Sequence, residues 1–219
     1  MPFPGADAEV EMSPARRRVF AFTLIELLVV ILIVAVLMGL AFPVFQGVMN
    51  SAKKTQAKND LMQIVTAVNA FYTEYGRYPT TATTDAAASY GPGNAASDVI
   101  FNELRGKSGA PLNTRLIVFI SPPEDTTQLN PKGKIGSDGQ FYDPWGSAYS
   151  LRIDADYDNE VTNPYGSGGG AGPDSIRQGV LAWSFGKNGA LGGGANANFA
   201  KEPGAAGRYT GSGDVISWQ

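Results

Sequence analysis

An apolar run from Leu24 to Phe42 dominates the pattern of hydrophobic and polar positions. Its nineteen residues, LIELLVVILIVAVLMGLAF, contain one charge, Glu26. At about 1.5 Å per residue a helix of this length reaches roughly 28 Å, close to the hydrocarbon thickness of a bilayer. Helices buried in soluble proteins rarely run so far without a polar face. The run therefore predicts a membrane-spanning helix.

The flanks of this run indicate how the segment is processed. Arg16–Arg18 precede it, whereas Pro43 and a polar helical pattern follow it in place of a small-residue cleavage site. A secretory signal peptide would end at such a site, so we expect the run to remain in the product. Met12 is a second possible start beside Met1. Three Lys residues between positions 53 and 58 nearly balance the Arg cluster, so charge bias indicates orientation only weakly.

The helical pattern continues beyond the run, over residues 44–75. Apolar residues recur at three- and four-residue spacing and form one stripe: Leu61, Ile64, Val65, Val68, Phe71, Tyr72 and Tyr75. Gly76 is a plausible C-cap, and Pro79 prevents further helix. One helix of about 80 Å is predicted from Phe22 to Tyr75, with a kink or local melting at Pro43.

Residues 76–219 have a different character, because Pro, Gly, Asn, Asp, Ser and Thr interrupt them densely. The best strand candidates are 114–121, 148–154 and 180–186, with long loops between them. The predicted fold class is therefore α+β, in which the second half of the long helix packs on a small antiparallel sheet with a loop-rich C-terminus.

Composition limits the chemistry available to the chain. It contains no Cys and no His, which removes disulfides, thiol nucleophiles and Ser-His-Asp triads. No G-x-S-x-G elbow is present, and the Gly-rich segment 166–172 lacks the Lys-Ser/Thr of a phosphate-binding loop. The net charge of −3, without a long basic run, argues against nucleic acid as a partner. These features favour a structural protein over an enzyme.

The segment AFTLIELLVVILIVAVL, from Ala21 to Leu37, resembles the processing site and first helix of type IV prepilins and pseudopilins. The resemblance implies that a prepilin peptidase cuts between Ala21 and Phe22 and that the new amine of Phe22 is methylated. The family usually has Gly before the cut, so Ala21 is a departure from its pattern. Glu26 and Pro43 stand at the fifth and twenty-second mature positions, where family members commonly carry the same residues.

Three C-terminal segments narrow the resemblance. The segment DPWGSAYSL (143–151) resembles the D-P-W-G-x-x-Y motif of the major pseudopilin, the G subunit, of type II secretion. The segments WSFGKNG (183–189) and GDVISW (213–218) are similar to the closing segment of that family, and the regions near 80–110 and 160–178 resemble insertions.

The resemblance implies a filament subunit of a secretion pseudopilus in the bacterial inner membrane, single-pass, with its head in the periplasm. The implied parts are a removed leader (1–21), a transmembrane half-helix (22–43), a periplasmic half-helix (44–76) and a head (77–219). The implied partners are copies of itself, minor pseudopilins, the peptidase, the inner-membrane assembly platform and lipid. A type IV pilus subunit remains an alternative, as does an anchored binding protein or enzyme.

Glu26 is the candidate assembly residue. A carboxylate within an apolar span is costly and persists mainly where it has a partner. A freshly cut amine at Phe22 would supply that partner, so we expect Glu26 to pair with the Phe22 amine of an adjacent subunit. The alternative is an acid that reaches the interface from an ordinary membrane anchor.

Calcium is the candidate cofactor. The resemblance implies a Ca²⁺ site between the loop at Asn188 and Asp214, although Asn188 replaces the Asp of the family and offers a neutral ligand. The alternative is a loop held by hydrogen bonds alone. A second group, Asp154, Asp156, Asp158 and Glu160, resembles the start of an EF-hand but lacks its turn Gly and final Glu. Its alternation with apolar residues favours a solvated strand face.

Overall fold

A computed structural model describes residues 22–192 and 208–219, with the backbone alone at 40–44. The predicted leader with Ala21, and the side chain of Pro43, lie outside the described residues. The chain divides into two compact units, Met1–Gly47 and Val48–Gln219. The second unit carries the head together with the second half of the long helix.

Helix α1 extends over Leu24–Tyr75, 52 residues, as the apolar and polar pattern predicts. Its backbone is helical through Pro43, so the local melting expected there is absent. The helix ends where Gly76 adopts a left-handed conformation with a φ of +66°. The amide of Gly76 donates to the carbonyl of Tyr72 at 2.8 Å, as in a glycine C-cap.

The predicted apolar stripe of α1 forms the centre of the head. Leu61, Ile64, Val68 and Phe71 are fully buried, which confirms the helical spacing. Tyr72 is the exception, since it is 40% exposed and stacks on Tyr78 with ring centroids 4.6 Å apart. The stripe therefore buries aliphatic residues and Phe71, and leaves Tyr72 at its edge.

Four short strands form an antiparallel sheet against α1. Their order is β1 (Ser89–Tyr90), β2 (Ser150–Ile153), β5 (Val180–Ser184) and β6 (Val215–Ile216). Strands β2 and β5 lie within the predicted segments 148–154 and 180–186, so both predictions are confirmed. The pairs Leu151–Ala182 and Ile153–Val180 set the register, and all four residues belong to the core packed on α1.

The sheet is covered on both faces. Strand β5 is buried at every position. Alternate residues of a strand point to opposite faces. Thus Val180 and Ala182 face α1, whereas Leu181 and Trp183 join a second apolar cluster. Strands β3 (Val161–Thr162) and β4 (Ser175–Ile176) form a separate hairpin and contribute one residue each to that cluster, Val161 and Ile176.

The two segments that resemble insertions are folded parts of the head. Helix α2 (Asp98–Leu104) lies in the first and places Ile100, Phe101 and Leu104 in the core. The β3–β4 hairpin occupies the second, residues 160–178.

The predicted strand at 114–121 is wrong, and a turn around Asn113 is the reason. The Asn113 side chain accepts from the Ile117 amide at 2.9 Å and donates to the Ile117 carbonyl at 2.7 Å. Leu116 adopts a φ of +52°, which no strand contains. The amide of Phe119 then donates to the carbonyl of Leu104, at the end of α2, at 2.8 Å. The apolar residues of this segment therefore belong to a loop that packs on α2.

Gly106, which follows α2, provides a test of this loop. Its φ is +61°, and a Cβ there would lie 2.6 Å from the Leu116 carbonyl oxygen. We expect Gly106→Ala to lower the free energy of unfolding by about 2–3 kcal/mol, from backbone strain and overpacking together. The measurement is urea unfolding of the full-length chain followed by Trp fluorescence.

Gly109→Ala is the matched control. Gly109 also has a positive φ, +91°, but no described atom lies within 4 Å of an added Cβ. It should therefore lose only the strain contribution, about 1 kcal/mol. Equal losses in the two variants would show that the close approach to Leu116 is not important.

Candidate functional site

The start of α1 is a capping box built from Thr23 and Glu26. The amide and the hydroxyl of Thr23 donate to Glu26 Oε2 at 2.9 and 2.7 Å. In return the Glu26 amide donates to Thr23 Oγ1 at 3.3 Å. Reciprocal bonds of this kind satisfy amides that the first turn of a helix leaves without partners. The T-x-x-E spacing is the sequence signature of a capping box. Sequence reasoning considered Glu26 alone and therefore missed the role of Thr23.

Capping places the Glu26 carboxylate close to the predicted cleavage point. Phe22 directly precedes Thr23 and is 75% exposed. Both bonds from Thr23 end on Oε2, so Thr23 leaves Oε1 for another donor. Pairing of Glu26 with an amine on another subunit stays a prediction. The geometry adds a second role for Glu26, as the acid that fixes the first turn of the helix.

The first half of α1 exposes apolar residues on all sides. Every large apolar side chain from Leu24 to Met38 is exposed, from 43% at Val34 to 84% at Leu24. A continuous surface of this kind is unusual on a soluble monomer and marks a region that another apolar body covers.

Within the part of the chain that the structure describes, no helix combines the length and the apolar character that crossing a membrane requires.

The second half of α1 is joined to the head by polar contacts as well as by the core. Lys58 Nζ donates to the carbonyl of Ile216, in β6, at 2.8 Å. The Tyr149 hydroxyl donates to Asp60 Oδ2 at 2.8 Å, and the indole of Trp145 donates to Asn50 Oδ1 at 3.3 Å. Burial raises the pKa of Asp60, against the hydrogen bond from Tyr149. These contacts tie three parts of the head to one helix.

The DPWG motif is a turn organised by one buried carboxylate. Asp143 Oδ1 accepts from the amides of Trp145, Gly146 and Ser147 at 2.8–2.9 Å. Its Oδ2 accepts from the Ser184 hydroxyl, in β5, at 2.6 Å. Burial raises the pKa of Asp143, although its hydrogen bonds act in the opposite direction. The motif therefore joins the turn before β2 to the neighbouring strand.

The predicted metal residues lie in one buried loop, joined through Gly192. Asn188 Nδ2 donates to the Gly192 carbonyl at 2.8 Å, and its Oδ1 accepts from the Ala190 amide at 3.1 Å. Asp214 Oδ2 accepts from the Gly192 amide at 2.8 Å and from the Tyr165 hydroxyl at 2.7 Å. These hydrogen bonds account for the loop geometry, and calcium at this position stays a prediction. Residues 193–207 of the same loop lie outside the described residues.

A cavity of about 700 Å³ on the head lies beside α2. Two charged side chains line it, Glu103 and Lys107. The Glu103 carboxylate accepts from the amides of Leu112 and Asn113, and Lys107 pairs with Glu124 at 3.2 Å. Both groups thus hold neighbouring loops in place.

Sequence comparison finds known proteins that are similar to parts of this chain. Residues 16–42 match the prokaryotic N-terminal methylation motif. The chain is similar to the type IV major pilin protein PilA of Myxococcus xanthus (strain DK1622), 39% identical over 57 residues. It is also similar to the type II secretion system core protein G of Aeromonas hydrophila, 35% identical over 66 residues. No solved structure matches the chain.

Both similarities are partial. The first covers 26% of this chain and 26% of the pilin, and the second covers 30% of this chain and 46% of the core protein. Both relatives are named as pilin or secretion-system proteins. The methylation motif, the two similarities and the α+β architecture with its long N-terminal helix agree. The chain is thus similar to type IV pilin-like proteins over its N-terminal part.

Proposed function

We propose that this chain is a structural subunit of a type II secretion pseudopilus, which assembles through the first half of α1 to drive protein export. The observation that carries the proposal is that the two halves of α1 differ in how far their apolar side chains are exposed. Its first half exposes apolar side chains on all sides, with Glu26 at its start, whereas its second half buries one apolar face in the head.

During assembly, the first half of α1 exchanges one apolar environment, the lipid, for another, the neighbouring subunits. In storage the first half of α1 lies in the inner membrane, with the head in the periplasm. In the filament, packing against neighbouring copies replaces contact with lipid, so close apolar packing and polar pairs must supply the driving force. Glu26 would pair with the Phe22 amine of a neighbour and set the offset between subunits. Minor pseudopilins, the prepilin peptidase and the assembly platform are the proposed further partners.

Sequence motifs of the head favour a secretion pseudopilus over a type IV pilus. The DPWG turn at Asp143 and the closing segment at 213–218 both resemble the G subunit, and the similarity to core protein G covers more of that relative than the pilin match does. A type IV pilus subunit is the second candidate, since the similarity to the pilin has the higher identity, 39%.

The first experiment is intact mass and N-terminal sequencing of the protein purified from native membranes. We expect a product that begins at N-methylated Phe22. Ala21→Gly, which restores the residue usual in the family, should give the same product in equal or greater yield. A product that retains Arg16–Arg18 would mean an ordinary anchored protein, and the filament proposal would fall with it.

A deletion separates the two candidates. If the pseudopilus proposal is correct, loss of the chain stops export of secreted proteins and leaves surface fibres unchanged. The reverse pattern would favour the pilus. Complementation with the wild-type chain is the control, because it excludes effects on neighbouring genes.

A further inference from the structure

Four carboxylates from two distant parts of the chain meet at one place on the head. One oxygen from each of Asp85, Asp154, Asp156 and Asp158 lies within 4.8 Å of the others. Two oxygens that bind one Ca²⁺ at about 2.3–2.6 Å can lie no more than about 5 Å apart. The four groups thus have the spacing of ligands around a single ion.

The site forms because β2 ends earlier than the sequence pattern indicates. The alternation from Leu151 to Glu160 predicts a wet strand face, but the strand stops at Ile153. Tyr157 and Asn159 have φ values of +66° and +62°, so the chain curls after the strand. The Ala155 amide donates to Asp85 Oδ1 at 2.8 Å, which brings the loop before β1 onto this turn. The predicted strand is therefore wrong beyond Ile153, and Asp154 is buried, whereas Asp156 and Asp158 are exposed as the prediction of a solvated face expects.

A buried carboxylate oxygen in this group lacks a hydrogen-bond donor. Asp154 is 3% exposed, and its Oδ2 accepts from the Asn159 amide at 2.9 Å. Its Oδ1 is buried, and no described group donates to it. A buried oxygen without a partner costs free energy, because the group has lost its water without replacement. A cation at the centre of the group would supply the missing contact.

The negative charge of the group is likewise uncompensated within the described residues, where no Lys or Arg lies within ion-pair distance of any of the four. Arg152 interacts electrostatically with Asp85, but it donates its hydrogen bonds to the Ser89 hydroxyl and the Thr162 carbonyl. Burial raises the pKa of Asp154 and of Asp85, and repulsion from Asp156 and Asp158 adds to it. Four carboxylates at this spacing repel one another unless a cation lies between them.

We propose that Asp85, Asp154, Asp156 and Asp158 form a binding site for Ca²⁺. Oxygen ligands only, three of them on one turn, suit Ca²⁺, which takes six to eight oxygens in irregular geometry. Mg²⁺ demands stricter geometry and loses its water reluctantly, so it should bind more weakly. The site is separate from the loop of Asn188 and Asp214, because it shares no residue with it.

Binding would reinforce the contact between the head and the end of α1. Tyr157 belongs to the same turn and stacks on Tyr78 with centroids 5.6 Å apart, and Tyr78 stacks on Tyr72 of α1 at 4.6 Å. A cation that holds Asp154–Asp158 to Asp85 also fixes Tyr157 in this stack. Ca²⁺ would therefore stiffen the contact between the head and the C-terminal end of α1.

The test is thermal unfolding and calorimetric titration of the full-length chain in detergent, after removal of metal with EDTA. We expect CaCl₂ at about 100 times Kd to raise Tm by about 5–10 °C, and MgCl₂ to raise it less. In Asp156→Asn/Asp158→Asn, Ca²⁺ affinity should fall by about tenfold or more. Both side chains are exposed, so the variant should fold.

Glu160→Gln is the matched control, because it removes one negative charge from the same turn but none from the group. It should keep affinity within about threefold of wild type. Absence of any Ca²⁺-dependent shift in the wild type would overturn the proposal. So would equal binding by the wild type and the double variant, which would place the ion elsewhere, for instance at Asn188 and Asp214. Neither result depends on whether the chain assembles into filaments.

Discussion

Asp143→Ala is expected to lower the free energy of unfolding of the head by about 3–5 kcal/mol. The carboxylate is fully buried and accepts hydrogen bonds from three backbone amides and one hydroxyl. Alanine would leave the buried Trp145 amide and Ser184 hydroxyl without this acceptor and would open a small void in the turn. The half-buried amides of Gly146 and Ser147 would also lose it, although the Gly146 amide keeps the Asp143 carbonyl as an acceptor. Urea unfolding followed by Trp fluorescence measures the loss, since all three Trp residues lie in the head.

Two variants separate the parts of this contact. Asp143→Asn keeps the shape and one acceptor oxygen, so it should lose less than Asp143→Ala. Ser184→Ala removes only the hydroxyl donor and should cost about 1 kcal/mol. If Asp143→Ala cost no more than Ser184→Ala, the three amide bonds would contribute little to stability.

Glu26→Ala is expected to reduce incorporation of the subunit into filaments by about tenfold or more, the effect of losing one charge-assisted contact at each interface. The measurement is the ratio of sheared filament to membrane-stored subunit, at matched expression. If Glu26→Ala assembled at the wild-type level, Glu26 would not be required for assembly.

The capping box makes a sharper version of this experiment possible. Glu26→Gln keeps a side chain that can cap the helix but removes the charge, whereas Thr23→Ala weakens the cap and keeps the charge. If pairing with an amine is the role of Glu26, Gln should fail as Ala does, and Thr23→Ala should assemble nearly normally. Assembly of Glu26→Gln at the wild-type level would identify helix capping as the role.

The strongest sequence patterns predicted the elements that periodicity can define. The spacing from Leu61 to Phe71 identified the buried face of α1, and Gly76 identified its end. Strand β5 was predicted from a nearly continuous apolar run, and β2 from the alternation of Leu151 and Ile153 with polar residues. Such signals are local, so they do not depend on where the rest of the chain lies.

Features that depend on distant partners could not be predicted in this way. The segment 114–121 has the composition of a strand, but the Asn113 turn and contacts with Leu104 decide its path. In the sequence, Asp154 is one of several acidic residues that alternate with apolar ones. Only the fold brings Asp85, about 70 positions earlier, next to it. The order of β1, β2, β5 and β6 likewise comes from pairing between remote segments.

The contact between Lys58 and the Ile216 carbonyl has a consequence during biosynthesis. Strand β6 lies at one edge of the sheet, pairs with β5 and is made after every other described element. Until it emerges, the β5 edge is open and Lys58 lacks its acceptor. Open strand edges are templates for pairing with other chains. A nascent or truncated subunit that stops before Val215 is therefore the form most prone to aggregate, and the form that quality-control proteases would find first.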